Sequence, residues 1–143
     1  MGTESMIQRL QEQAAFWAKS MIRFVEDETV SKIDGLSRAE IDSLPYGVIQ
    51  VDDQGKILIF NRFESEKANV PVKEAEGKTF FTQVAPCTNN AIFWGSFEKG
   101  VKQGEMDLIF PYTFTYKMRP TPVVVHLYKS KASKKNWIFV KWK

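Results

Sequence analysis

The sequence contains a single cysteine and a single histidine among 143 residues. One Cys excludes a disulfide framework and a Cys-rich zinc site, and one His excludes every multi-histidine metal pattern. No apolar run approaches the roughly 18 residues that a membrane helix requires. The N-terminus lacks the basic start and short apolar stretch of a secretory signal. Met6 stands where a myristoylation signal needs Ser or Thr. An excess of charge is missing too: 20 Lys+Arg against 17 Asp+Glu leave a net +3, without the basic stripe of a nucleic-acid binder. These absences lead to a soluble cytoplasmic protein with no membrane, nucleic-acid or metal partner.

What is present suits one globular domain. Apolar residues make up 43% and charged residues 26%, with 11 Phe, 4 Tyr and 4 Trp to fill a core. Residues 5 to 28 read as one amphipathic helix without Gly or Pro, opened by a capping pair of Ser5 and Gln8. Ile7, Leu10, Ala14, Trp17, Met21 and Phe24 follow at alternating spacings of three and four, a heptad stripe. Such a stripe can pack on a second helix, giving a homodimer, or lie across a sheet in its own chain. Residues 29 to 44 read as a polar connector with one helical stretch from Ser37 to Ser43.

Alternation begins near Leu44. Val48 to Val51 and Ile57 to Phe60 flank Asp52-Asp53-Gln54-Gly55, a hairpin signal with Gly55 supplying positive φ. Asn61 can cap a helix over 62–67 that Pro71 breaks, and one helical turn is expected between Val72 and Val84. Thr88 or Asn89 can cap a helix from Ala91 to Gln103, which Gly104 ends. Leu108, Phe110, Tyr112, Phe114, Tyr116 and Met118 then share one face of a long strand by strict alternation. Pro111, on its other face, marks an edge or a bulge. Val123 to Lys129 and Trp137 to Trp142 complete the strands, joined by a Lys-rich turn. The expected fold is α+β: a five-stranded antiparallel sheet with short helices on one face and an amphipathic helix in front. The expected division is an N-terminal cap, dimerisation segment and connector over 1–41 and a domain over 42–143.

Four features could carry chemistry. Cys87 lies just before a predicted helix N-terminus, where a thiol pKa falls; the alternative is a small buried hydrophobe. His126 could pair with Cys87 as a nucleophile dyad, but nothing supplies an oxyanion hole or an orienting carboxylate, and a strand histidine is more often structural or surface-facing. Glu64 stands among Phe60, Phe63 and Ala68; turned inward it would be a neutral hydrogen-bond donor, turned outward a solvated charge. Lys129, Lys131, Lys134 and Lys135 read as a solvated turn, or as a docking point for an acidic partner.

The run Thr79-Phe80-Phe81-Thr82-Gln83-Val84-Ala85-Pro86-Cys87-Thr88 resembles the photoactive yellow protein family, the light-sensing branch of the PAS fold. The similarity extends back over Leu44 to Glu64 and forward over Phe93, Phe97, Gly100 and Val101. It continues through Phe110, Tyr112 to Phe114, Tyr116, Met118, Val125-His126 and Trp137 to Lys141, covering roughly residues 42 to 143. The resemblance implies a blue-light photoreceptor, not an enzyme, with p-coumaric acid (4-hydroxycinnamic acid) as a thioester on Cys87. Glu64 matches the family's protonated Glu, and Pro86, Tyr112, Phe114 and Met118 match its chromophore wall. In place of the family's Tyr donor stands Phe60, in place of its supporting Thr stands Ala68, and a nearby Arg falls at Val70. One missing donor costs a buried phenolate about 1.5–3 kcal/mol and raises its pKa by about one to two pH units. The same departures fit a PAS protein–protein interaction module without chromophore. Without an output domain in the sequence, either reading expects action through a protein partner in a signalling pathway or through self-association.

Overall fold

The structure is a computed structural model and describes residues 3–20 and 24–143. Five antiparallel strands form one sheet in the order β2-β1-β5-β4-β3. They are β1 (Gly47–Val51), β2 (Ile57–Phe60), β3 (Met106–Phe114), β4 (Thr121–Lys129) and β5 (Asn136–Trp142). The Asp52–Gly55 turn closes the first hairpin as expected, with Gly55 at φ 87° and the Asp52 carboxylate accepting from Gln54 N–H and Lys56 N–H. β3 is an edge strand, which is where Pro111 costs no ladder bond.

Alternation sorts the strand residues onto two faces. Ile49, Val51, Val125, Leu127, Ile138 and Val140 join Phe80, Phe81, Phe93, Phe97 and Phe114 in one core. Over it lie α4 (Arg62–Ala68), α5 (Val72–Ala75), a π turn (Phe80–Val84), a 3₁₀ turn (Pro86–Thr88) and α6 (Trp94–Gln103). On the opposite face, Val48, Trp137 and Phe139 pack with Val25, Val30, Ile33 and Ile41. That second core is closed by α2 (Asp27–Lys32), a 3₁₀ turn (Ile33–Gly35) and α3 (Arg38–Asp42), preceded in the chain by α1 (Thr3–Ser20). Asp34 ties the covering to the sheet, accepting from Trp137 Nε1–H (3.1 Å) and from the Ser130 hydroxyl.

Several expectations need correction. The helix over 5–28 is not continuous: α2 starts afresh at Asp27, because Asp27 and Glu28 suit the positive end of a new helix. Helix is already under way at Thr3, so Ser5 sits within it and is no cap. Met21 of the stripe lies outside the described residues. Most of 29–36 is helical rather than a loose connector, and the capping box is instead Ser37 with Glu40, opening α3. Helix α6 begins at Trp94, and neither Thr88 nor Asn89 caps it; the Thr88 hydroxyl turns back to donate to Ala85 C=O (2.6 Å). The aromatic strand stops at Phe114. Lys117 takes φ 53°, so the chain reverses while Tyr116 and Met118 still keep an alternation that no longer means a strand. Lys129 is buried: its Nζ donates to Asp53 (3.2 Å), Lys134 C=O (2.9 Å) and Asn136 Oδ1 (3.0 Å). Only Lys131, Lys134 and Lys135 remain as the solvated turn.

Candidate functional site

Asn61 is the anchor of the site. It is fully buried, with both ends of its amide used: Oδ1 accepts from Val48 N–H and Glu64 N–H, both at 3.0 Å. Its Nδ2 donates to Ile41 C=O (2.9 Å) and Tyr46 C=O (3.1 Å). An amide offers two donors and an acceptor oxygen, and here all are matched. The result fixes the start of α4 against β1 and α3, and so fixes where Glu64 enters the core. At the other end of α4, Asn69 closes the helix with φ 56°.

Beside it, Phe60 is held from both backbone groups. Its N–H donates to Glu76 Oε2 (3.0 Å), and its C=O accepts from Arg38 Nη2 (3.2 Å). Arg38 and Glu76 are themselves paired at 2.7 Å. This terminates β2 and sets the Phe60 ring against a cavity of about 300 Å³, at the small end of ligand-binding pockets.

Glu64 is 2% exposed. Burial raises its carboxyl pKa to about 7, against a smaller lowering by the Trp142 indole. That indole, at the end of β5, donates Nε1–H to Glu64 Oε1 at 2.8 Å. Gly47 makes room on the other side, since a Cβ there would stand 2.0 Å from Oε1. At neutral pH the acid is therefore poised between a neutral hydrogen-bond donor and a buried carboxylate.

Cys87 lines the same cavity from the Pro86–Thr88 turn. Its carbonyl accepts from the Tyr112 hydroxyl, and Asn90 donates both to that carbonyl (3.3 Å) and to the Tyr112 oxygen. The thiol's backbone is thereby clamped to β3. The expected helix dipole beside it is not there, because α6 starts seven positions downstream at Trp94.

Of the residues expected at the site, Phe60, Glu64, Ala68, Val70, Cys87, Phe114 and Met118 line the cavity together. Pro86 and Tyr112 do not line it; they shape it from behind, one setting the turn and the other pinning it. The dyad of Cys87 with His126 is not formed. His126 is fully buried on the opposite face of the sheet, against Phe24, Tyr128 and Phe139, with Nε2 2.6 Å from Asp107 Oδ1. Sequence reasoning missed Trp142 and Gly47. Period-two reading does place Trp142 on the face of Ile138 and Val140, but nothing local pairs it with Glu64, 78 positions earlier. Among the described residues no group of His, Cys, Asp and Glu could hold a metal ion, and no helix is long and apolar enough to cross a membrane.

The fold has counterparts among known proteins. The family profile of the PAS fold matches residues 35–140. A photoactive yellow protein from Rhodothalassium salexigens is 39% identical over 121 residues, 85% of this chain and 97% of that one. Another, from Halochromatium salexigens, is 37% identical over 122 residues, 85% of this chain and 98% of the relative. Among solved structures, the photoactive yellow protein domain of the sensor histidine kinase Ppr from Rhodospirillum centenum superposes with a TM-score of 0.74 at 40% identity, covering 78% of this chain and 98% of that domain.

Proposed function

Since the chain belongs to the photoactive yellow protein family of the PAS fold, we propose that it is a photosensory domain that carries p-coumaric acid as a thioester on Cys87. The observation that carries this reading is the sharing of one aromatic-walled cavity by the Cys87 thiol and a buried acid whose pKa lies near neutrality. Both are needed: a thiol to hold the acyl group, and a donor to meet a phenol oxygen that would otherwise be buried unpaired. Phe60, Phe114 and Met118 would flank the ring. Bound there, the chromophore supplies absorption of blue light and a double bond that can isomerise.

The protein's part is proton and space management. Glu64 holds a proton below about pH 7 and can give it up to a phenolate across the cavity. Its loss leaves a buried carboxylate with the Trp142 N–H as partner, a costly state that local loosening of the fold would relieve. Helix α1 is a candidate for what loosens. It presents Met6, Ile7 and Leu10 at 53%, 48% and 58% exposure, a surface for a second copy or a signalling partner. Deleting residues 1–28 with partner binding unchanged would remove that step.

A second reading is favoured by Phe60, Ala68 and Val70. They make the wall near Glu64 apolar where a phenolate would profit from donors, as in an interaction module that binds no chromophore. One experiment separates the two. Protein incubated with activated p-coumaric acid is examined by mass spectrometry and then titrated by absorbance. The photosensory reading expects one acyl adduct, lost in Cys87→Ala. It also expects a phenol pKa about one to two pH units above that of sites with two donors. No adduct would leave the interaction module.

A further inference from the structure

We propose that Trp142 is the positioning residue of the pocket acid: its indole N–H holds Oε1 of Glu64, so that the acidic proton resides on Oε2, the oxygen left to address the cavity. The inference deepens the ligand-site reading above and rests on it for its purpose, though not for its geometry.

The Glu64 carboxyl is wedged. Below it runs the backbone of β1 at Gly47, so close that any Cβ would overlap Oε1 at 2.0 Å and crowd Cδ at 3.0 Å. Beside it stands Trp142, 2.8 Å from the same oxygen. The indole is located in turn by the pairing of Trp142 with Val123 in the β4–β5 ladder and by the Phe114 ring, 5.2 Å away centroid to centroid. Among the described residues Trp142 is the sole side chain bonded to this carboxyl. Both residues line the cavity.

An indole nitrogen can donate and cannot accept. The oxygen it addresses therefore acts as acceptor, a role the carbonyl oxygen of a neutral acid fills better than its hydroxyl oxygen, so the hydroxyl falls to Oε2. The same donor stabilises the carboxylate once that proton has left. Trp142 thus sets which oxygen carries the proton and limits how far burial can raise the pKa. Other titratable groups around the cavity are Cys87 from its turn, Glu74 from α5, Lys78, and Tyr116 and Lys117 from the reversal after β3. A test must therefore isolate Glu64.

The test is infrared titration of the full chain without chromophore. The Glu64 carbonyl band is identified as the one missing from Glu64→Gln. The parent should titrate near 7, and Trp142→Phe should move the midpoint up by about one pH unit, the loss of one hydrogen bond to a charged group. Gly47→Ala pushes Oε1 off the indole while leaving Trp142 in place. It should produce the same upward move, and it decides the matter if Trp142→Phe does not fold. A midpoint unmoved in either variant that circular dichroism shows to be native would overturn the proposal. An absent acyl adduct would defeat the photosensory reading and leave this titration untouched, so the two failures are distinguishable.

Discussion

The two faces of the sheet are built from the same apolar strands and finished differently. On the face beneath α2 and α3, the layer against the sheet is closed: Trp137, Phe139, Val48 and Ile33 are almost entirely shielded, the Trp137 indole is matched by Asp34, and the hollows on that side, about 380 and 240 Å³, are lined by Glu26, Lys32, Glu40 and Lys141 among others rather than by these core side chains. On the face beneath α4 to α6, packing stops short and leaves the cavity around Glu64 and Cys87. A closed core gains contact energy from every atom. An open one forfeits some and gains a place for chemistry, at a cost that rises with the volume left empty. The lesson is that the candidate site lies where one face leaves space beside the sheet, and that the element carrying its acid is anchored from the other.

Asn61 joins the two faces, reaching Ile41 and Tyr46 on the closed side and Glu64 on the open one. The largest expected effect therefore comes from Asn61→Ala. It strands buried donors and acceptors on three elements and should cost about 3–4 kcal/mol of stability, measured as a fall in the urea midpoint. A loss under about 1 kcal/mol would mean that water or backbone shifts replace those bonds, and that the two faces are less tied than they look.

The next effect distinguishes the faces by pH. Glu64 titrates near 4.5 unfolded and about 7 folded. The folded state thus binds the proton more tightly, and the stability this gives is fully present below pH 4.5. It is lost as pH rises toward and through 7, by about 3 kcal/mol in all. Urea unfolding across pH 4 to 9 should show that slope in the parent and lose it in Glu64→Gln. The difference between the two curves removes whatever His126 and other groups contribute. Parallel curves would show that the acid is solvated in solution.

How much of this was legible in the sequence follows the range of each signal. The hairpin at Gly55, the capped helix after Asn61, the edge strand with Pro111 and the sheet itself are local patterns, and the chain obeys them. Cys87 stood out by its place before a predicted helix and Glu64 by its apolar neighbours, the resemblance to a known family joined them in one expected site, and the structure puts both on one cavity. What escaped depends on distant partners. Trp142 reads as one more strand aromatic until β5 is laid between β1 and β4. Lys129 reads as solvated until Asp53 is brought from 76 positions earlier. Helix limits failed where local geometry overrode the apolar stripe, at Asp27 and at Trp94.

The smallest expected effect concerns where α1 meets the sheet. Trp17 donates its indole N–H to the carbonyl of Val123 at 3.0 Å, and Val123 is the ladder partner of Trp142. A single rung thus bears two indoles, one holding the N-terminal helix and the other holding the pocket acid. Trp17→Phe keeps an aromatic ring and removes only the donor, so it should cost about 1 kcal/mol. Because α1 exposes Met6, Ile7 and Leu10, that loss should appear as local opening rather than global unfolding. Hydrogen exchange should speed several-fold across residues 3–20 while β5 and α4 keep their protection. If β5 loosens along with α1, the rung transmits strain between helix and acid; if neither changes, the Trp17 bond contributes nothing to holding the helix.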